Sequence, residues 1–454
     1  MIRKLYFFII AMAFTFSAVG QGYFSFYQLR ELVPQTQSLQ PAFIPNNSFT
    51  FGLPGLGVST EADFVLQDLL SKPDGSLDFN VDFDVLLDAT NPMNRTNLDV
   101  TGNLFYIGIK TKNGGYSLFA NARVTLDTQY GSDLIEFLAN GNANRIGQEI
   151  SLANTRANFN AYHEIGIGHT RKFLNERLII GGRVKRVTGV YHASLAEGAT
   201  GSIMTDANDY SWTVNVQNGT ANTAGFDFHF NSSRYPGNEL EDYAISNGNT
   251  GIAFDVGAIF KPFKWLTIEG SVNDIGSIDW TEQVRNYNTQ DTEVTFSGVQ
   301  LRGLENSDEV FRDSVESKFI SNETRRAFTT DLTMRSYLAA SLNAGKYNRF
   351  TFMAFNNHAF DEIDPSFAVS YNRSAKYFTF GVVGSYRNSH TEVNLGANIA
   401  ADIGPVQLYL ALDNAVIMNK PETYSKADIR FGFNLMFGYK KWRDKTEVVN
   451  LDEL

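Results

Sequence analysis

The sequence predicts an all-β protein, a transmembrane antiparallel β-barrel of about 14 strands with an N-terminal segment in its lumen and short helices in its loops. Three observations carry that prediction. Apolar residues alternate with polar or small ones along most of the chain, the period of a strand with one apolar face. Beyond the N-terminus no stretch approaches the ~18 consecutive apolar residues of a membrane helix. Phe (37), Gly (37) and Tyr (20) are abundant and Cys is absent, so stability has to come from burial or from lipid.

The chain opens Met1-Ile2-Arg3-Lys4, runs apolar from Leu5 to Phe16, and continues Ser17-Ala18-Val19-Gly20. A basic start, a short apolar core and small residues at the cleavage positions predict a secretory signal peptide over residues 1–20, cut after Gly20. The apolar run falls short of the ~20 residues that cross a bilayer, so it is not read as an anchor. With no cysteine, a lipidated N-terminus, a thiolate metal site and a cysteine nucleophile are all excluded. The net charge of −11 becomes −13 once Arg3 and Lys4 leave with the signal, and an acidic chain repels phosphate backbones. Nucleic acid is therefore excluded as a partner.

Residues 21–48 hold Pro34, Pro41 and Pro45 and read as a non-strand segment that folds into the lumen as a plug. The barrel is expected over residues 49–439. Its clearest strands start at Tyr116, where Tyr116, Leu118, Ala120, Ala122 and Val124 oppose Ser117, Phe119, Asn121 and Arg123. The others lie at 210–217, 266–273, 406–413 and 429–439. Weaker alternation covers 98–110, 157–170, 178–187, 225–230, 251–260, 331–343, 349–356, 364–371, 378–386 and 391–403, with a first strand at 49–53. Alternation alone fits a soluble sandwich as well. Aromatics near strand ends (Tyr210, Trp212, Trp265, Trp280, Tyr347, Tyr371, Tyr377, Tyr386, Tyr439, Trp442) predict interfacial girdles, and the opposing faces are small and polar with few lysines, as a crowded lumen requires. Short amphipathic helices are expected at 133–140 and 307–320, the second strongly acidic, and residues 440–454 form a periplasmic tail.

The inward faces gather charge. A hairpin centred on Leu174-Asn175 sets Glu164 opposite Lys185, with Arg183 diagonal to it. A similar count around Pro262-Phe263-Lys264 turns Asp255 and Glu269 inward, and Arg123, Asp413 and Arg430 also fall on polar faces. Such a set either stiffens the wall as a network of ion pairs or receives a ligand head group, with Arg183, Lys185 or Arg430 taking a carboxylate. No catalytic, cofactor or metal site is expected. His163-Glu164 and His169 are spaced six apart on a strand, about 20 Å, too far for one metal. Ser389 and His390 are adjacent and point to opposite faces, no G-x-S-x-G occurs, and Asp74, Asp78, Asp82 and Asp84 lack the order of a calcium loop.

The segment Ser38-Leu39-Gln40-Pro41-Ala42-Phe43-Ile44-Pro45 followed by Phe51-Gly52-Leu53-Pro54 resembles the mature N-terminus of an uncharacterised Bacteroidota outer-membrane β-barrel family. Further landmarks are Gly181-Gly182-Arg183-Val184-Lys185-Arg186-Val187, Asn273-Asp274-Ile275-Gly276-Ser277-Ile278-Asp279-Trp280 and Tyr409-Leu410-Ala411-Leu412-Asp413-Asn414, so the resemblance covers nearly the whole mature chain. More distantly the chain is similar to FadL-type fatty-acid transporter barrels and to the PorV-type barrel of type IX secretion. Those similarities imply an outer-membrane address, about 14 strands and an N-terminal segment inside the barrel. The Asn-Pro-Ala of the FadL type stands here as Gln40-Pro41-Ala42, and no ligand is carried over.

Three functions are then in play. A FadL-like conduit or holder for small hydrophobic molecules predicts a continuous lumen or wall opening with an apolar pocket near the N-terminal segment. An accessory subunit of an outer-membrane secretion or assembly machine, docking other outer-membrane or periplasmic proteins through acidic loops and the C-terminal tail, predicts a lumen that this segment closes. An outer-membrane hydrolase, least favoured, predicts Ser, His or carboxylate side chains within hydrogen-bonding reach.

Overall fold

The computed structural model describes residues 23–62, 70–71, 80–81, 91–140, 143–195, 199–227, 239–289, 292–296, 322–345, 347–361, 365–375, 377–387, 393–415 and 426–438. The expectations for residues 1–20, 307–320 and 440–454, for Asp74, Asp78, Asp82 and Asp84, and for Ser389-His390, lie outside them.

Alternating sequence becomes fourteen staves of one closed sheet. They are β1 (Phe49–Gly52 with Gly55–Ala62), β2 (Met93–Thr111), β3 (Gly114–Gly131), β4 (Arg156–Phe173), β5 (Leu178–Leu195), β6 (Gly219–Ala224 with Thr250–Phe263) and β7 (Leu266–Trp280 with Val284–Thr289). The ring continues with β8 (Asn322–Thr324, Phe328–Asp331 and Arg335–Ala344), β9 (Asn348–Asn357), β10 (Ser366–Ser374), β11 (Phe378–Arg387), β12 (Val393–Ile403), β13 (Val406–Leu412) and β14 (Lys426–Phe437). Each stave pairs antiparallel with the next, and β1 closes the ring by pairing with both β2 and β14. Closure leaves no sheet edge, the condition for a β-structure to sit in lipid.

The two ends differ. The turns after β2, β4, β6, β8, β10 and β12 are two to four residues long and share one end with Phe49 and its partner Phe437. Long connections, such as 132–155 and 196–218, emerge at the other end. Around the wall Ile165, Ile167, Val184, Phe254, Val369, Phe431 and Phe433 point outward and are exposed, while their neighbours in sequence are buried inside. A continuous apolar belt of this kind is far larger than a soluble monomer tolerates, and in a bilayer it is the covered face.

Three expectations change. The strand at 212–217 is outside the ring. With Glu149–Ser151, Thr200–Thr205 and Thr292–Phe296 it forms a separate four-stranded sheet built from the long connections, because alternation identifies a strand and not its sheet. Of the strand expected at 225–230, residues 225–227 are not strand and 228–230 lie outside the described residues. The stave segment is Gly219–Ala224, it ends at Gly225 (φ +81°), and a short helix, Glu239–Ile245, precedes the second part of the stave. Trp280 is no girdle residue. It is buried, and packs with His192 inside the mouth at the long-connection end. The helix expected near 133–140 is present as Ser132–Asn140.

Residues 23–47 fill the lumen near the short turns. One helical turn (Phe24–Tyr27) and two 3-10 turns (Arg30–Leu32, Pro34–Ser38) bury Phe24, Phe26, Tyr27, Leu29, Val33, Leu39 and Phe43 against Tyr337, Met353, Phe355, Val383 and Tyr409 of the wall. Each large side chain so buried contributes roughly 1.5–3 kcal/mol. The lumen at this end is thus a hydrophobic core.

Candidate functional site

The segment is fastened to the wall by polar contacts that use several of the expected residues. Asp413 accepts from the backbone N–H groups of Phe24 (2.8 Å) and Ser25 (2.6 Å), and the Ser25 hydroxyl donates to the Leu412 carbonyl (2.8 Å). Glu269 accepts from the Tyr27 hydroxyl (2.9 Å) and pairs with Arg30. Gln35 and Asn434 exchange side-chain bonds at 2.6 and 3.1 Å. The Leu39 carbonyl accepts from Ser271 (2.6 Å) and Asn273 (2.9 Å), and Arg183 donates to the Gln37 carbonyl (3.1 Å). Glu269 and Asp413 are therefore anchors of the segment and do not join the cluster above it.

That cluster stands on the segment at mid-lumen. Asp274 is its hub, pairing with Arg123 (2.9 Å), Lys185 and Arg335. Asp99 binds Arg123 (2.6 Å) and Arg335 (3.0 Å), while Asp255 binds Lys185 (2.8 Å) and faces Arg183 (3.4 Å). Glu164 accepts from Asn121 (2.7 Å) and lies 3.5 Å from Lys185. The guanidinium of Arg430 lies 3.6 Å over the Tyr23 ring, and its nearest carboxylate is Asp428, at 4.0 Å. Arg123, Glu164, Arg183, Lys185, Asp274, Arg335 and Arg430 line a small cleft, open on one side, with room for about one water. Five acids (Asp99, Glu164, Asp255, Asp274 and Asp428) and five bases (Arg123, Arg183, Lys185, Arg335 and Arg430), nearly all buried, form a fixed polar layer around a space the size of a water.

Of the expected residues, Arg123, Glu164, Arg183, Lys185, Asp255 and Arg430 meet here. Glu164 and Lys185 do form an ion pair, but they do not stand directly opposite each other. Leu174, Asn175 and Glu176 all adopt positive φ in a four-residue turn, so Lys185 faces Gly166 and Glu164 sits diagonal to it. A slip of two residues keeps every side chain on its face, which is why the inward assignment survives. Asp99, Asp274 and Arg335 were missing from the expected set. Asp99 and Arg335 sit on readable polar faces, Asp99 between Leu98 and Val100, and Arg335 in phase with Tyr337 and Ser341. Asp274 was not readable. An extra residue in β7, where Asn273 and Asp274 together face Asp255, breaks the alternation and turns both inward, with Asp274 at φ +64°. The same bulge carries Trp280 inward. His163 and His169 lie on the outward face, where His169 stacks on Tyr116.

The family described as "Family of unknown function (DUF5723)" matches residues 41–413. No curated protein sequence matches the chain. Among solved structures, the Ralstonia pickettii toluene transporter TbuX is similar at 8% identity, with 93% of this chain and 100% of that chain covered and a TM-score of 0.42. A Pseudomonas aeruginosa FadL homologue is similar at 9% identity, covering 88% and 90%, with a TM-score of 0.39. The Pseudomonas putida toluene transporter TodX is similar at 6% identity, covering 88% and 92%, with a TM-score of 0.38. Likeness at these scores says nothing about what a barrel binds or moves.

Proposed function

We propose, from the premise that this chain belongs to the DUF5723 family, that it is an integral protein of a bacterial outer membrane whose lumen is kept shut by its own N-terminal segment. It would serve as an accessory subunit of an outer-membrane machine and not as an open pore. The observation that carries this reading is the packing of residues 23–47 as the core of the lumen, with anchors on β5, β7, β13 and β14. A pore blocked by a loosely held strap would leave apolar space beside the strap, and the cavity above this segment is lined by charge. The short turns, with the start of β1 and the end of β14, are assigned to the periplasm and the long connections to the cell surface, the usual arrangement for such barrels.

A second reading has its own support. Arg430 lines the small mid-lumen cleft, and among the described residues its nearest carboxylate, Asp428, is 4.0 Å away. A conduit or holder for small hydrophobic molecules with an anionic head group would use that guanidinium, and passage would require the segment to move.

Purification of the tagged protein in mild detergent, with mass spectrometry of co-purifying proteins and lipids, separates the two. A stoichiometric protein partner and a silent planar-bilayer recording are expected. A lone barrel carrying an acyl lipid, or steady conductance without treatment, would favour the conduit and overturn the accessory reading.

A further inference from the structure

The mouth at the long-connection end holds an arrangement that neither reading uses. The register of β4 with β5 slips between Ala161 and Tyr162, where Val190 is the extra residue. Beyond the slip His192 stands opposite Asn160, and Ser194 opposite Asn158, all on the lumen face. His192 Nδ1 lies 2.8 Å from Asn160 Oδ1, and Nε2 lies 2.9 Å from Ser194 Oγ. Asn160 donates its Nδ2 to Asn158 Oδ1 at 3.0 Å, which turns its own Oδ1, a pure acceptor, toward the ring. Nδ1 therefore carries the imidazole proton, and the Nε2 lone pair faces the serine hydroxyl. Trp280 and Phe328 pack on the ring at 5.0 and 5.3 Å between centroids and fix its plane. The base and its orienting amide are buried (0% and 1% exposed), whereas Ser194 is half-buried.

We propose that Ser194, His192 and Asn160 are the nucleophile, general base and orienting group of an acyl-transfer site that hydrolyses small carboxylic esters entering from the long-connection mouth. Activating a serine requires a base in hydrogen-bond reach and a third group that sets the base's tautomer, and this chain of contacts supplies both. The oxyanion donors follow from the same register. Ser194 lies between Asn158 on β4 and Asn222 on β6, its direct cross-strand partners on the same face. Asn158 Oδ1 is taken by Asn160, and Asn222 Oδ1 accepts from Asn286 (2.9 Å), so each Nδ2 is the donor left for an oxygen anion beside Ser194.

The steps balance with water as co-reactant. Ser194 Oγ bonds to the carbonyl carbon as its proton passes to His192 Nε2. The tetrahedral oxyanion collapses, the bond to the alcohol oxygen breaks, and that oxygen takes the proton from Nε2. Water then gives a proton to Nε2 while its oxygen attacks the acyl carbon. The carboxylic acid leaves, and the proton returns to Ser194. Polar walls of asparagine, with apolar surface supplied by Trp280 and Phe328 against the imidazole, suit a short acyl chain better than a lipid.

The test uses the folded full-length barrel in detergent, a fluorophosphonate probe and p-nitrophenyl butyrate. One equivalent of label on Ser194 and turnover above buffer are expected, with both lost in Ser194→Ala. His192→Gln should lower turnover by at least about 100-fold, with heat-modifiable migration confirming that the barrel is folded. If that variant does not fold, Asn160→Leu, which keeps the volume, is measured in its place, and a tenfold or greater loss is expected from about 10⁴-fold known for misorienting a base. Wild-type protein that stays unlabelled, or label and turnover that survive Ser194→Ala, would overturn the assignment. The outcome does not depend on whether residues 23–47 seal the lumen, so this site and the accessory reading stand or fall separately.

Discussion

The two halves of the lumen are filled by opposite means. Near the short turns, residues 23–44 bring a hydrophobic core into the ring, with Tyr27 stacked on Tyr337 at 5.6 Å and Phe26 against Tyr409 at 5.6 Å. Directly above, the wall closes on itself through charge, with Asp274 joining Arg123, Lys185 and Arg335 from three separate staves. The apolar half is held by area and tolerates small losses. The charged half is interdependent, because removing one partner leaves others buried and uncompensated. Closure therefore depends on a packed segment, while the shape of the ring above it depends on a few carboxylates.

The largest effect expected from this contrast is that of Asp274→Ala. Three cations lose their hub, and the barrel should lose about 3–5 kcal/mol of stability in urea unfolding from lipid. A loss under about 1 kcal/mol would mean that water replaces the carboxylate and the cluster is not interdependent. Next comes Phe433→Arg on the outward face, 41% exposed, where a charge at mid-bilayer costs about 2–4 kcal/mol. Normal heat-modifiable migration of that variant would count against the facing of the whole stave. Gly257→Ala should cost about 1–3 kcal/mol, since a Cβ there collides with Gln40 of the segment and overpacks the apolar half. If the variant instead shows pore conductance, the segment yields before the wall does. Smallest is Glu164→Gln, which keeps the shape and the Asn121 contact and gives up only a 3.5 Å ion pair, worth about 1 kcal/mol or less in thermal melts.

Much of this was legible in the sequence because a barrel residue has two choices, lipid or lumen, and parity decides between them. Parity placed Arg123, Glu164, Arg183, Lys185, Asp255, Glu269, Asp413 and Arg430 inward, and all eight are buried. Parity fails at bulges. Asp274 and Trp280 follow one in β7, and His192 and Ser194 follow another in β5, so the hub and the triad at the mouth both lie past a break in the pattern. Contacts across the ring are not local either. Arg335 meets Asp99 236 positions away, and Asp413 caps a segment 388 positions before it. Spacing cannot reveal such pairs until closure brings the staves face to face.

The central claim, that residues 23–47 are a built-in part of the folded lumen, has a direct test because the chain contains no cysteine. A Cβ built on Gly396 of β12 would lie 2.5 Å from Ser25 Oγ, so Ser25→Cys with Gly396→Cys brings two thiols within bonding range. Mild oxidation of the folded double variant, read by mobility on a non-reducing gel, should give near-complete intramolecular crosslinking, with each single variant giving none. Free thiols in a barrel that migrates as folded would contradict the account, placing the N-terminal segment outside the lumen.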